Sequence, residues 1–144
     1  MVQSKDMVCI MNCIPKKSLK RLIQLTDERL GHLGLKAYHT IVIAAIGNDP
    51  GTSQKHIMEK VPFNKARVSI IVSELMEMGY VTDVSKGNSS SLFLTEEGKD
   101  IYEISSEIFM LHHEALLSVF SEEEREVLHR MMIMMDEVLD DMLS

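Results

Sequence analysis

Two helical patterns separated by only three residues constrain this chain more than any other feature. Thr52 or Ser53 can cap a first helix over about 54–60, Val61-Pro62-Phe63 supplies a turn, and Asn64 can cap a longer helix reaching Met78. In that second helix Val68, Ile71, Val72 and Leu75 take the i, i+3, i+4, i+7 positions of one buried face. Its polar side keeps Lys65, Arg67, Ser69 and Ser73, types of side chain that reach phosphates or base edges. Gly79 follows where a helix end favours a left-handed residue. The plan is that of a helix-turn-helix. Periodicity alone also fits an ordinary helical hairpin with a solvated outer face.

The flanking segments add context. Tyr80–Val84 and Ser91–Leu94 read as strands joined through Lys86-Gly87-Asn88, which makes a small hairpin or wing. Upstream, Leu19, Leu22, Ile23, Leu30 and Leu33 predict a helix over 16–33. Ile10, Cys13 and Ile14 either extend it or form an arm, and Pro15 suits a helix start better than an interior. A second helix is expected over 36–46, with Tyr38, Ile41, Val42 and Ala45 on one face and residues 47–51 as its stop. After the wing, Thr95 can cap a fifth helix reaching about Val119. Ser121 and Glu124 form a capping box for a sixth, whose stripe is Leu128, Met131, Met132, Met135, Leu139 and Met142. The fold class expected is mainly α with a small β-hairpin.

Charge bears on what such a hairpin could bind. The net charge of −7 seems to argue against nucleic acid, whose affinity rests on Lys and Arg displacing counterions. Its distribution changes that. Residues 95–144 hold fourteen acids and three bases, whereas residues 51–73 hold four bases and the single acid Glu59. The local field at a binding surface matters more than the total. There is no apolar run long enough for a membrane span and no cleavage-site pattern of a signal peptide, and two cysteines cannot build a disulfide framework. A cytoplasmic location is expected.

Three stretches then carry a resemblance. Residues 53–60, Asn64-Lys65-Ala66-Arg67-Val68-Ser69 and Leu75-Met76-Glu77-Met78-Gly79-Tyr80-Val81 resemble the MarR family of bacterial regulators. Leu94-Thr95-Glu96-Glu97-Gly98-Lys99 is similar to that family's LTxxG junction after the wing, and residues 120–125 to the opening of its last helix. The resemblance covers about residues 18–143. It implies a homodimer of winged helix-turn-helix lobes on double-stranded DNA, with an arm and dimerisation helix over 1–35, a reading lobe over 36–94 and C-terminal dimerisation helices over 95–144, all within one compact protomer. The implied DNA contacts are Ser53, Gln54, Lys55, Asn64, Lys65, Arg67, Ser69 and Ser73, joined by Lys86 and Ser89 of the wing. Departures from the family pattern are Ile70, where an arginine is common, Glu74 and Met78, where bases are common, and a short wing with Lys86 as its cation.

The resemblance also implies a crevice for a small aromatic or lipophilic effector, which Tyr38, His39, Phe63, Met110 and His113 could line. The same residues fit more readily as core or dimer contacts, since apolar helix faces are usual. His112 and His113 are adjacent, about 100° apart on a helix, and no histidine set here completes a metal site. Cys9 and Cys13 share a helical face and read as small apolar contacts. No cofactor is expected, and no phosphate loop, nucleophile–base pair or zincin motif suggests an enzyme. The expected function is a dimeric transcriptional regulator, a repressor in the first instance. The alternative is a winged-helix protein-interaction module, which Ile70 and the poor wing keep open.

Overall fold

The computed structural model describes residues 4–144, so the first three residues of the expected arm lie outside it. Helix α1 spans Ser4–Leu30, with Pro15 inside it. Of the two readings of Ile10, Cys13 and Ile14, this is the extended helix, and it corrects Pro15 from a helix start to an interior position. An interior proline loses one hydrogen bond and crowds the carbonyl four residues earlier, at a cost of about 3 kcal/mol. A 27-residue helix carries that cost over many intact turns on either side. The helix also stops three residues before the expected Leu33, in a 3-10 turn over Gly31–Leu33 closed by left-handed Gly34.

Helix α2 (Ala37–Asn48) follows an extended Lys36. Helix α3 (Gln54–Met58) is shorter than expected, and helix α4 (Lys65–Glu77) is close to expectation. Ser53 caps α3 by accepting from the His56 N–H at 3.1 Å, and Asn64 caps α4 by accepting from the Arg67 N–H at 2.8 Å. Each such cap contributes about 1 kcal/mol. Thr52, the other cap candidate, instead bridges to Leu92. Helix α4 ends in a Schellman motif: Tyr80 N–H reaches the Leu75 carbonyl at 2.9 Å and Gly79 N–H reaches that of Met76 at 3.1 Å. Gly79 has φ +85°, which glycine adopts without strain.

Strands β1 (Val81–Asp83) and β2 (Leu92–Leu94) pair antiparallel with Thr82 opposite Phe93. Backbone bonds from Gly51 to Leu92 and from Leu92 to Thr52, both 2.8 Å, lay the segment before α3 along β2. The wing is thereby stitched to the helix-turn-helix. Helix α5 covers Glu96–Leu117 and helix α6 covers Glu122–Leu143.

The described residues divide between Phe109 and Met110 into two compact units. In the first, Val68, Ile71, Val72 and Leu75 of α4 join Leu30, Leu35, Val42, Ile43, Ile46, Ile57, Leu92 and Ile108 in one closed core. Each fully buried aliphatic side chain contributes about 1.5–3 kcal/mol, so the inner face of α4 is fixed far more firmly than its caps alone could fix it. In the second unit, the Ser121–Glu124 capping box forms as expected, with bonds of 2.9 and 3.2 Å. One face of α6 carries Met131, Met132, Met134, Met135, Val138, Leu139 and Met142, all about half exposed or more. Its opposite side holds Asp136, Glu137, Asp140 and Asp141. Among the described residues no helix is long and apolar enough to cross a membrane.

The junction after the wing is held by Thr95. Its N–H donates to the Tyr80 carbonyl at 3.0 Å and its hydroxyl to the Gly79 carbonyl at 2.6 Å, while that hydroxyl accepts from the Gly98 N–H at 3.1 Å. Gly98 is buried so closely on Tyr80 that a Cβ would collide with the Tyr80 carbonyl oxygen. Gly98→Ala gains about 1 kcal/mol of helix propensity, but a backbone clash of this kind costs more, about 1–3 kcal/mol or above. Thermal unfolding is expected to show a lower midpoint for Gly98→Ala; an unchanged or raised midpoint would show that the junction can spread.

Candidate nucleic-acid interface

The core dictates which side of α4 faces outward. With Val68, Ile71, Val72 and Leu75 buried, Lys65, Ala66, Arg67, Ser69, Ile70 and Ser73 are exposed. Lys55 of α3 and Lys86 and Ser89 of the wing are exposed in the same unit. Eight of the ten expected DNA-contacting residues are exposed, and Ser53 and Gln54 are half-buried. Three of the ten also bond within the fold. Ser53 and Asn64 use their side-chain oxygens as helix caps, and the Gln54 N–H donates to the Ser90 hydroxyl at 2.7 Å.

Several serines of the wing hold the wing itself together, a use not read from the sequence. Ser90 ties the wing to the start of α3. Asp83 accepts from the N–H groups of Ser91 at 3.0 Å and Ser85 at 2.9 Å, bonds that close the hairpin and hold its carboxyl below the usual carboxylate range. A lone aspartate before a serine-rich turn is the signal for such a clasp. Lys86 and Ser89 remain at the exposed tip.

Glu74, where the resemblance led one to expect a base, faces inward chemistry. Its Oε2 lies 2.6 Å from Nε2 of His39, which is buried at the start of α2. The Lys36 N–H donates to His39 Nδ1 at 3.0 Å. Nδ1 must then be an acceptor, so the neutral ring carries its proton on Nε2 and donates it to Glu74. One histidine thus caps α2 and clamps α4. The pair lies 35 positions apart in sequence, beyond any local pattern.

A cavity of about 380 Å³ opens beside this clamp. Leu19 and Ile23 of α1, Ile41 of α2 and Phe63 give it apolar walls, and Lys36, Asp27, Tyr38 and Arg67 complete it. The Arg67 guanidinium stands over the Tyr38 ring, 4.5 Å from its centre, a cation–π contact. Of the expected effector residues, Tyr38 and Phe63 come together here. His39 is in the core behind them, and Met110 and His113 are exposed positions of α5 in the second unit. Cys9 and Cys13 are free, exposed thiols on α1. Among the described residues no three His, Cys, Asp or Glu side chains are grouped to hold a metal.

Burial is the largest influence on His39 and lowers its pKa below the ordinary 6.5, outweighing the opposing pull of Glu74, while Lys36 and Arg67 add to the lowering. The folded state then binds fewer protons than the unfolded chain between that lowered value and 6.5. The resulting stability is fully present above pH 6.5 and is lost as pH falls through the folded pKa. Protonated Nδ1 would also confront the Lys36 N–H. Urea unfolding from pH 7.5 to 5 is expected to show a steeper fall in stability for the natural chain than for His39→Gln; equal slopes would remove His39 as the titrating group.

No protein-family model matches the sequence, and no curated protein matches it at a significant level. Solved structures do match in fold. A MarR/EmrR family transcriptional regulator from Acinetobacter sp. ADP1 superposes with a TM-score of 0.82 at 20% identity, covering 98% of this chain and 99% of that one. Streptococcus pneumoniae FabT, solved in complex with DNA, gives 0.78 at 19% identity and covers 97% and 99%. The PcaV transcriptional regulator from Streptomyces coelicolor, solved in complex with its natural ligand, gives 0.69 at 18% identity and covers 86% and 89%. Many further neighbours are MarR-family regulators as well. The chain has the winged helix-turn-helix fold, with long flanking helices, of the MarR-family transcriptional regulators.

Proposed function

We propose that this chain is a MarR-type, dimeric, non-enzymatic DNA-binding regulator of the cytoplasm, reading a pseudo-palindromic site through α4 and the tip of the wing. The observation that carries the reading is the outward surface of the first unit. Lys55, Lys65, Arg67, Ser69 and Ser73 sit on a helix-turn-helix whose inner face is closed by the core, with Lys86 on the wing stitched to it. Phosphate contacts from the lysines would set register, and groups on α4 would read base edges. The DNA complex of S. pneumoniae FabT, a fold neighbour, supports this reading. The acidity of residues 95–144 lies outside the helix-turn-helix and wing, so it does not oppose it.

A second copy is the proposed cover for the apolar face of α6 and for Met7, Ile10, Met11 and Ile14 of α1, all exposed in the single chain. An apolar surface of that extent is what an obligate partner buries. Two lobes related by a two-fold axis match a palindromic site. A dimer seated across such a site blocks it, which makes repression the simplest action.

The cavity between α1, α2 and the turn before α4 is the proposed effector site. A small aromatic acid fits its apolar walls, and Arg67 would meet the carboxylate. Because Arg67 also stands on α4, a ligand there competes with its use on DNA. Calorimetry with a panel of small aromatic acids is expected to give binding that Ile41→Trp, which fills the cavity, abolishes; a flat response across the panel would reject the cavity as a sensor.

DNA reading itself is tested by salt. The logarithm of affinity for duplex DNA is expected to fall linearly with the logarithm of salt concentration, by roughly 0.9 for each phosphate neutralised. Lys86→Ala should lower that slope by about one and weaken binding alike on all sequences. Affinity for a protein partner that persists in high salt, without any for DNA, would favour the interaction module instead.

A further inference from the structure

The outward side of α4 does not have the composition of a basic reader. Residues of a helix advance by about 100° each, so Ala66, Ile70, Ser73 and Glu77 lie opposite the buried stripe of Val68, Ile71, Val72 and Leu75. Ile70 is 53% exposed near the centre of that outward line. The cations stand to either side. Lys65 flanks one edge, and Arg67 at the other leans over the Tyr38 ring. Glu74 is bonded to His39. What the middle of the helix presents is methyl groups and hydroxyls: Ala66, Ile70, Ser69 and Ser73.

In a major groove the one apolar group on a base edge is the 5-methyl of thymine. Recognition helices contact bases mainly through their N-terminal half, and Ile70 is the sixth residue of α4. We infer that Ile70 reads a thymine methyl in each half-site, so that an A·T pair is specified by apolar contact where a guanidinium would have specified guanine. This rests on the DNA-reading function proposed above. Lys65 and Lys55, exposed on the same helix-turn-helix, supply the charge that brings a duplex, rather than an apolar protein surface, to this face.

The test uses the full chain. A site is first selected from random duplex DNA, and each thymine is then replaced by uracil, which deletes the methyl and leaves every hydrogen-bonding group in place. One position per half-site is expected to lose about fourfold in affinity, the factor equivalent to ~0.8 kcal/mol for one buried methyl, and roughly fifteenfold when both half-sites are changed. Ile70→Ala should weaken binding to the thymine site by a comparable factor and be indifferent to uracil there. Ile70 lies outside the core, so this variant should melt with the natural chain, and a melting check confirms that the comparison is fair. A selected site that tolerates uracil everywhere, or uracil sensitivity that survives in Ile70→Ala, overturns the role of Ile70 alone. Failure to select any site overturns the DNA-reading function and this inference with it.

Discussion

Burial of one side of α4 is the constraint on which the rest depends. Val68, Ile71, Val72 and Leu75 are each at most 1% exposed, and together they leave the helix one rotational setting against α2 and α3. That setting decides what faces outward. Lys65, Arg67, Ser69, Ile70 and Ser73 of α4 are outward because these four are inward. The His39–Glu74 bond adds a polar stop to the same arrangement, joining the start of α2 to the back half of α4. Hydrophobic burial supplies the larger energy, whereas the hydrogen bond supplies direction.

The clamp also changes what Glu74 and Arg67 signify. An acid on a recognition helix would repel phosphate if it were free, but Glu74 is turned to His39. An arginine on that helix would be the first candidate for guanine, yet Arg67 rests on Tyr38 at the edge of a cavity. The surface left between them is short-chained and partly apolar. Under the proposed DNA-reading function, such a surface would take orientation from flanking lysines and discrimination from small contacts, and the wing, clasped by Asp83, would contribute a single cation at its tip.

Much of the fold was legible in the sequence because its signals are local. Ser53, Asn64 and the Ser121–Glu124 box each announce a helix start within three residues, and Gly79 announces an end. The stripe on α4 gave its buried face directly. Pro15 misled, because a local preference for helix starts lost to the length of α1. The site was less legible. His39 looked like a crevice residue, and nothing nearby could reveal a partner 35 residues away. Ser53 and Asn64 suit both a helix cap and a DNA contact by residue type, and the fold uses their side-chain oxygens for the caps. Polar residues near a binding surface serve the backbone first, and composition cannot tell the two uses apart.

The proposed function requires two of these lobes to sit together on one duplex. Hydroxyl-radical footprinting of the full chain on a selected site measures this most directly. Two protected patches are expected on one face of the DNA, about one helical turn (roughly 10 base pairs) or a multiple apart. A single patch, or none at protein concentrations that saturate a control regulator, would contradict it.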